Sequence, residues 1–314
     1  MGHISIIIAT YDRPVLLKRA LSSVLDQDCI DEVDVEVVVV DNSADRSAEQ
    51  TIHEIAANSP IAIKYVSETR QNISLARNAG LAASNGTMVA FIDDDERASA
   101  HWLCSLITTQ QTFQADVVFG PVHPEFEGGV APVWESNESF YDRDAGIVTG
   151  TPVTLGGTGN VLIRRDCFTS SEPFDPAYGK TGGEDTDFFQ RISQAGFSLV
   201  WCAEAHVTEF LPKTRCSQRY LFRRAFKSNQ SFVRVERKNS RYGMVAGAYW
   251  FLNGLVQAIA FALPALVLSL SRAPTAVRIK RRFFGALGKV LSVSIFNYEF
   301  YGNRRNSTSV RNSL

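Results

Sequence analysis

Residues 88–95, Met88-Val89-Ala90-Phe91-Ile92-Asp93-Asp94-Asp95, decide how the rest of the chain is read. Residues 89–92 have the length and unbroken apolar character of a buried strand. A strand that ends in three carboxylates delivers repelling charges to the carboxyl edge of a sheet, and in open α/β sheets ligands bind at that edge. A hard divalent cation held by one or two carboxylates, with phosphate oxygens filling its shell, relieves the repulsion. A solvated acidic loop that caps the next helix relieves it too, and spacing alone leaves both readings open.

Outward from this strand the chain alternates. Residues 4–9, 35–40 and 61–66 are apolar runs of strand length, the second almost entirely β-branched. Between them Leu16, Leu17, Ala20, Leu21, Val24 and Leu25 recur at helical spacing behind Pro14, and residues 48–57 and 74–83 fit two more helices. The rhythm predicts an α/β fold with a mostly parallel sheet and helices on both faces. Downstream, the spacing predicts a helix over 101–113, strands over 116–122, 161–163 and 198–202, and a helix over 186–195 that stops at Gly196. Residues 124–154 lack any period, which marks a functional loop. Gly156-Gly157-Thr158-Gly159-Asn160 reads as a tight turn more than as a phosphate cradle.

With 314 residues, 45% hydrophobic and 21% charged, the chain has the composition of a core-forming globular protein. The first strand begins after three residues, so no leader segment is expected. Five scattered cysteines without a CxxC pair suit free thiols in a reducing cytosol. The net charge of -1 conceals an asymmetry: residues 1–211 carry 13 Lys+Arg against 31 Asp+Glu, and residues 212–314 carry 19 against 2.

The basic tail contains a run, residues 244–270, without a charged residue. It is long enough to cross a bilayer, and Pro264 would kink or turn it. Arg234, Arg237, Lys238 and Arg241 precede it and Arg272, Arg278, Lys280, Arg281 and Arg282 follow it. Cations on both sides suit an in-plane, re-entrant or hairpin segment on the cytoplasmic side. Phe283, Phe284, Leu287, Val290, Leu291, Ile295 and Phe296 add an apolar stripe of the interfacial kind. The alternative is a core hairpin or a dimer interface. A nucleic-acid partner is not expected, because it leaves the apolar run without a role.

Five motifs in order carry a family resemblance: Ile7-Ile8-Ala9-Thr10-Tyr11-Asp12-Arg13-Pro14, Val40-Asp41-Asn42-Ser43, Asn72-Ile73-Ser74-Leu75-Ala76-Arg77-Asn78-Ala79-Gly80, Phe91-Ile92-Asp93-Asp94-Asp95-Glu96 and Gly183-Glu184-Asp185-Thr186-Asp187. Over residues 3–235 the chain resembles the family 2 glycosyltransferases, nucleotide-sugar enzymes of the GT-A fold. It looks most like bacterial transferases that build exopolysaccharides one sugar at a time. The resemblance implies a nucleoside seat at Thr10, Tyr11, Asp12 and Arg13, with Asp41 on the base. For Asp41 an Asx turn closing its strand is the competing reading. Arg77 would neutralise a diphosphate. Asp93 and Asp95 would hold Mn or Mg, with Asp94 beside them and Glu96 a lesser candidate. His206 would complete the metal shell, as a downstream histidine does in some related enzymes.

Asp185 matches the family's general base, next to Glu184. Displacement at an anomeric carbon needs the acceptor hydroxyl deprotonated opposite the leaving group, which a carboxylate in hydrogen-bond reach does. An acidic first helical turn would also explain the pair. The Gln-x-x-Arg-Trp motif of processive members is absent, which favours single-sugar transfer.

The reading is a GT-A catalytic domain over residues 1–235 and a helical membrane-associating region over 236–314. Its expected activity is metal-dependent, inverting transfer of one hexose from a UDP-linked donor to a lipid-linked saccharide, at the cytoplasmic face of the inner membrane. A nucleotidyltransferase acting on a sugar phosphate would need a Gly-rich triphosphate loop that the Ala9-Thr10-Tyr11 exit does not offer. An inactive membrane scaffold is the remaining alternative.

Overall fold

A computed structural model of the chain describes residues 2–135, 139–144 and 146–293. β1 (Ile4–Thr10), α1 (Pro14–Leu25), β2 (Val35–Asp41), α2 (Glu49–Ala56), β3 (Ala62–Ser67), α3 (Ile73–Ala83) and β4 (Met88–Ile92) form the anticipated alternation. β1 pairs in parallel with β2 and β4, and β2 in parallel with β3. Alternate residues of these strands supply two cores. Ile6, Ile8, Val37 and Val39 pack with Leu17, Leu21 and Trp102 on one face. Ile7, Val38, Val40 and Phe91 pack with Ala76, Phe188 and Phe189 on the other. Burial on both faces is why β1, β2 and β4 are largely apolar without alternation, whereas the edge strand β3 is partly exposed.

The chain continues through β5 (Glu96–Ala98), α4 (Trp102–Phe113), β6 (Val117–Phe119), β7 (Val122–Phe126), β8 (Asn160–Arg164), α5 (Glu184–Gln194), β9 (Leu199–Trp201), β10 (Val207–Leu211), α6 (Gln218–Asn239), α7 (Gly243–Val267) and α8 (Pro274–Val290). The large sheet has the order β3-β2-β1-β4-β8-β6-β9, and a small one the order β5-β10-β7. β8 runs antiparallel to both β4 and β6. β10 runs antiparallel to β5 and parallel to β7.

Two expectations differ from the structure. The strand expected over 116–122 divides into β6 and β7, which lie in different sheets. Gly120 sits at the division, where a Cβ would come within 2.3 Å of the Ala205 carbonyl oxygen and 2.5 Å of Asn160 Nδ2. Cys29 and Cys104 are not free thiols but a disulfide, 75 residues apart in sequence, and Cys167, Cys202 and Cys216 are free. Residue 235 lies in α6, the helix that joins the sheet-bearing part of the chain to α7 and α8. Ile295 and Phe296 of the apolar stripe lie outside the described residues.

Candidate active site

The carboxyl ends of β1, β2 and β4 and the amino ends of α3 and α5 meet at one edge of the large sheet. Thr10, the last residue of β1, donates its Oγ1 hydrogen to Asp94 Oδ2 at 2.8 Å. Asp12 turns the chain with a left-handed φ of 52°, which aspartate tolerates better than most residues. Tyr11 is half-buried and Asp12 exposed at the lip. Arg13 Nη1 reaches Asp94 Oδ1 and Asp95 Oδ2, both at 2.8 Å.

The three aspartates behind β4 are not equivalent. Asp95 Oδ2 accepts from Arg13 and also from Arg215 Nη1 at 2.9 Å. Burial works against its charge, but the two guanidiniums hold the Asp95 carboxyl below its ordinary value. Burial pushes Asp94 up against the pull of Arg13. Asp93 is the open member, with a side chain 37% exposed. Burial, and then its neighbours Asp95 and Asp94, push its carboxyl up to about 6 while Arg77 opposes them. Glu96 is buried, accepts the Asp93 backbone N–H at 3.0 Å and takes Arg143 Nη2 on its other oxygen at 2.8 Å. Burial and then Asp93 raise it well above the usual carboxylate range.

Arg77 joins this cluster to the second acidic motif. Its helix α3 begins at Asn72, whose side chain caps the backbone N–H groups of Ser74 and Leu75. That start aims Arg77, buried within the sheet edge, at both sets of acids. Nη1 donates to Glu184 Oε1 at 2.6 Å, and Nη2 lies 3.6 Å from Asp93 Oδ1. Glu184 and Asp185 open α5 behind Gly183, whose φ of 105° suits glycine. Glu184 Oε2 is buried without a hydrogen-bond partner. Burial and then Asp185 raise the Glu184 carboxyl. Asp185 turns Oδ1 back to its own helix, accepting Thr186 N–H at 2.6 Å. From α6, buried Lys227 bears on Glu184, and burial brings its ammonium down to about 7 against that attraction.

The glycine segment before β8 threads between the two motifs. A Cβ on Gly157 would lie 3.6 Å from Asp185 Oδ2, and one on Gly159 would lie 2.6 Å from Glu96 Oε1 and 3.1 Å from Asp93 Oδ2. At Gly159 a side chain would press on two carboxylates, a stricter demand than the tight turn expected from sequence, whereas at Gly157 the contact would be an ordinary one.

Thr10, Arg13, Arg77, Asp93, Asp94, Asp95, Glu184 and Asp185 are therefore brought together. Asp41 pairs in register with Thr10 but is fully buried. It closes its own turn, accepting the N–H groups of Ser43 at 3.0 Å and Ala48 at 2.8 Å. His206 is not brought to the aspartates. Its ring pairs with His123 at 3.0 Å, and His123 pairs with Asp142 at 3.1 Å. The register of β10 explains this, because Phe210 N–H meets the Asp95 carbonyl oxygen at 2.7 Å and His206 precedes it by four residues, roughly 13 Å of strand.

The β10 side chain at the cluster is Glu209, opposite Glu96, contacting Arg143 at 3.0 Å and Arg215 at 3.2 Å. Sequence reasoning missed Glu209 and Arg143. Alternation along Val207-Thr208-Glu209-Phe210-Leu211 was the available signal for the first, whereas Arg143 comes from the loop without a period.

The donor set is all carboxylate oxygen, the chemistry of Mn or Mg. Arginines occupy Asp94 and Asp95, Asp93 stays accessible, and Glu184 keeps an unpartnered oxygen. Among the described residues no three His, Cys, Asp or Glu side chains are already gathered as a ligand shell. The residues fit such an ion once an arginine changes partner.

Comparison with known proteins agrees with this arrangement. The sequence model described as Glycosyl transferase family 2 matches residues 5–170. The succinoglycan biosynthesis protein ExoM of Rhizobium meliloti (strain 1021) is 37% identical over 234 residues, covering 74% of this chain and 75% of ExoM. The GalNAc(5)-diNAcBac-PP-undecaprenol beta-1,3-glucosyltransferase of Campylobacter jejuni is 29% identical over 133 residues, 42% of this chain and 41% of its own. The mannosyltransferase PcManGT from Pyrobaculum calidifontis, solved with GDP-Man and Mn2+, superposes with a TM-score of 0.63 at 17% identity, covering 92% of this chain and 87% of its own. At that identity it speaks to the GT-A fold alone.

Proposed function

This chain belongs to glycosyltransferase family 2, and from that premise we propose that it moves one hexose, with inversion, from a UDP-linked donor to a lipid-linked saccharide in surface polysaccharide synthesis. The observation that carries the reading is Arg77, one guanidinium between Asp93 on the donor side and Glu184, next to Asp185, on the acceptor side. The succinoglycan name of one relative and the undecaprenol-linked substrate of another support the acceptor class. The apolar helix α7 supports work at a membrane. In this reading the cytoplasmic face is the side of action, and the catalytic unit over residues 1–235 passes into the helical region through α6.

The nucleoside sits against Thr10, Tyr11 and Asp12, with Asp41 shaping the floor beneath the base. Arg13, Arg77 and Arg215 exchange carboxylate for phosphate oxygens when the donor enters, so the diphosphate replaces one anionic partner by another. Asp93 and Asp95 would hold a Mn or Mg ion, which would supply Lewis-acid stabilisation of charge on the diphosphate. Asp185 Oδ2 takes the proton of the acceptor hydroxyl. The acceptor's hydroxyl oxygen bonds to the anomeric carbon from the face opposite the bond to phosphate, which breaks as the nucleoside diphosphate leaves. Gly157 and Gly159 keep side-chain bulk out of the space between base and donor.

Calorimetric titration of detergent-purified protein with UDP and GDP, with and without Mn, tests the donor site. The expected result is metal-dependent UDP binding that Asp95→Ala abolishes. Binding of GDP alone overturns the UDP assignment, and absence of binding by either nucleotide overturns the site. Asp185→Asn should keep donor binding and lower transfer by about 100- to 10,000-fold. Full transfer by that variant removes Asp185 as the base.

A further inference from the structure

α7 buries only a narrow stripe of small residues, Gly247, Gly254, Ala258 and Ala265. On the opposite face Leu252, Val256, Ile259, Leu263 and Leu266 recur every three or four residues, each 59–70% exposed. Met244 and Val267 widen that face and are also exposed. Residues 243–271 contain no charged side chain. A seam for a second helix is narrow and edged by charged positions. This face is broad and has no charged edge, which fits lipid better than a second copy of the chain.

What surrounds α7 gives the sign of the surface. Between residues 218 and 293 there are 14 Lys+Arg and one acid, Glu236. Three of these cations lie beside α7 at successive levels along its length. Lys289 donates to Asn253 at 3.0 Å and Gln257 at 3.2 Å around its middle. The Arg282 guanidinium stands 5.8 Å from the Phe261 ring centroid beyond its middle. Lys280 donates to the backbone oxygens of Ser269 at 3.3 Å and Ser271 at 2.7 Å just past its end. α8 therefore runs antiparallel along α7 and carries its cations from the middle of α7 to just past its end. If α7 stood across a bilayer, these charges would lie at successive depths in hydrocarbon, which is costly.

We infer that α7 lies in the plane of an anionic lipid surface, its exposed apolar face sunk below the headgroups and the cations of α6 and α8 above them, so that both of its ends stay on one side. This rests on the membrane reading proposed above and fixes its geometry. In-plane helices of this kind combine an apolar face with cations that attract anionic lipid. α6 connects that surface to the reaction, because Ser231 Oγ donates to the Thr181 carbonyl oxygen at 3.2 Å, two residues before Gly183. A lipid-borne acceptor then meets Asp185 without leaving the bilayer.

Full-length protein added to sealed vesicles tests this, with neutral phosphatidylcholine compared with a phosphatidylcholine–phosphatidylglycerol mixture. Variants Arg241→Cys and Arg272→Cys, in a Cys216→Ser background whose remaining free thiols Cys167 and Cys202 are buried, are treated with an impermeant maleimide from outside. The expected result is flotation with the anionic vesicles and labelling of both positions. A variant with Leu252→Gln, Ile259→Gln and Leu266→Gln should lose flotation and keep donor binding, since all three side chains already face outward. Neutralising Arg278 together with Arg282 should weaken vesicle binding about fivefold per charge. Flotation with only one position labelled means that α7 spans, and it overturns the in-plane geometry while leaving the membrane reading standing. Absence of flotation with either vesicle, with a soluble dimer by light scattering, assigns the apolar face to a second copy and overturns both.

Discussion

At the scale of single residues the site is a set of charges holding one another in place, with Arg77 as the member shared between its halves. Replacing Arg77 by Met leaves buried Glu184 without the guanidinium it accepts, which should cost about 3–5 kcal/mol in urea denaturation. Adding Glu184→Leu should return most of that stability, because an apolar pair tolerates burial better than a lone charge. Sugar transfer should not return with it, so stability and activity separate in the double variant. Gly159→Ala makes a different point. Its methyl group meets the carboxyl oxygens of Glu96 and Asp93, so donor titration should weaken by at least about tenfold, with little change in melting temperature. An unaltered donor affinity would mean that the acids can move aside.

At the scale of elements, the strands are anchored by more than their apolar faces. Glu36 on β2 is buried and accepts Ser5 Oγ and the Asn85 N–H, both at 2.6 Å, with Lys64 Nζ 2.6 Å from its other oxygen. Burial alone would raise its pKa, but these partners win and bring it from 4.5 down to about 2. A carboxyl depressed in the fold stabilises it above the unfolded value and loses that contribution as pH falls towards the folded one. Glu36→Gln should therefore cost on the order of 3 kcal/mol at neutral pH, and the gap to the parent should close between about pH 5 and 2. A gap independent of pH would locate the effect in packing.

The legible elements were those with an unambiguous period or a continuous apolar run, such as β1, β2, β4, α1 and α3. The short strands β5 and β10 were not legible, because Glu96-Arg97-Ala98 and Val207-Thr208-Glu209 owe their pairing to partners distant in sequence. The same limit separates the site residues. Asp93–Asp95 and Glu184-Asp185 end or begin local elements, so their motifs stand out. Glu209 and Arg143 join them only through the small sheet and the long loop. His206 rested on the family resemblance alone, and the register that carries it to His123 is not written in its motif.

At the scale of the whole molecule, acids dominate residues 1–211 and cations the remainder, so the chain is a dipole with its catalytic end negative. Donor binding should raise the melting temperature in the presence of Mn, by linkage, and a chelator should remove most of that rise. The two sheets add a consequence for heat. Asp93–Asp95 hang from the seven-stranded sheet and Glu209 from the three-stranded one. Between them stand the Phe210 N–H bond to Asp95 and the bridges of Arg143 and Arg215. The small sheet rests on strands of three to five residues, so it should loosen at lower temperature than the doubly covered large one. Warming should silence the enzyme while its circular dichroism is still native, and cooling from that range should restore turnover without refolding.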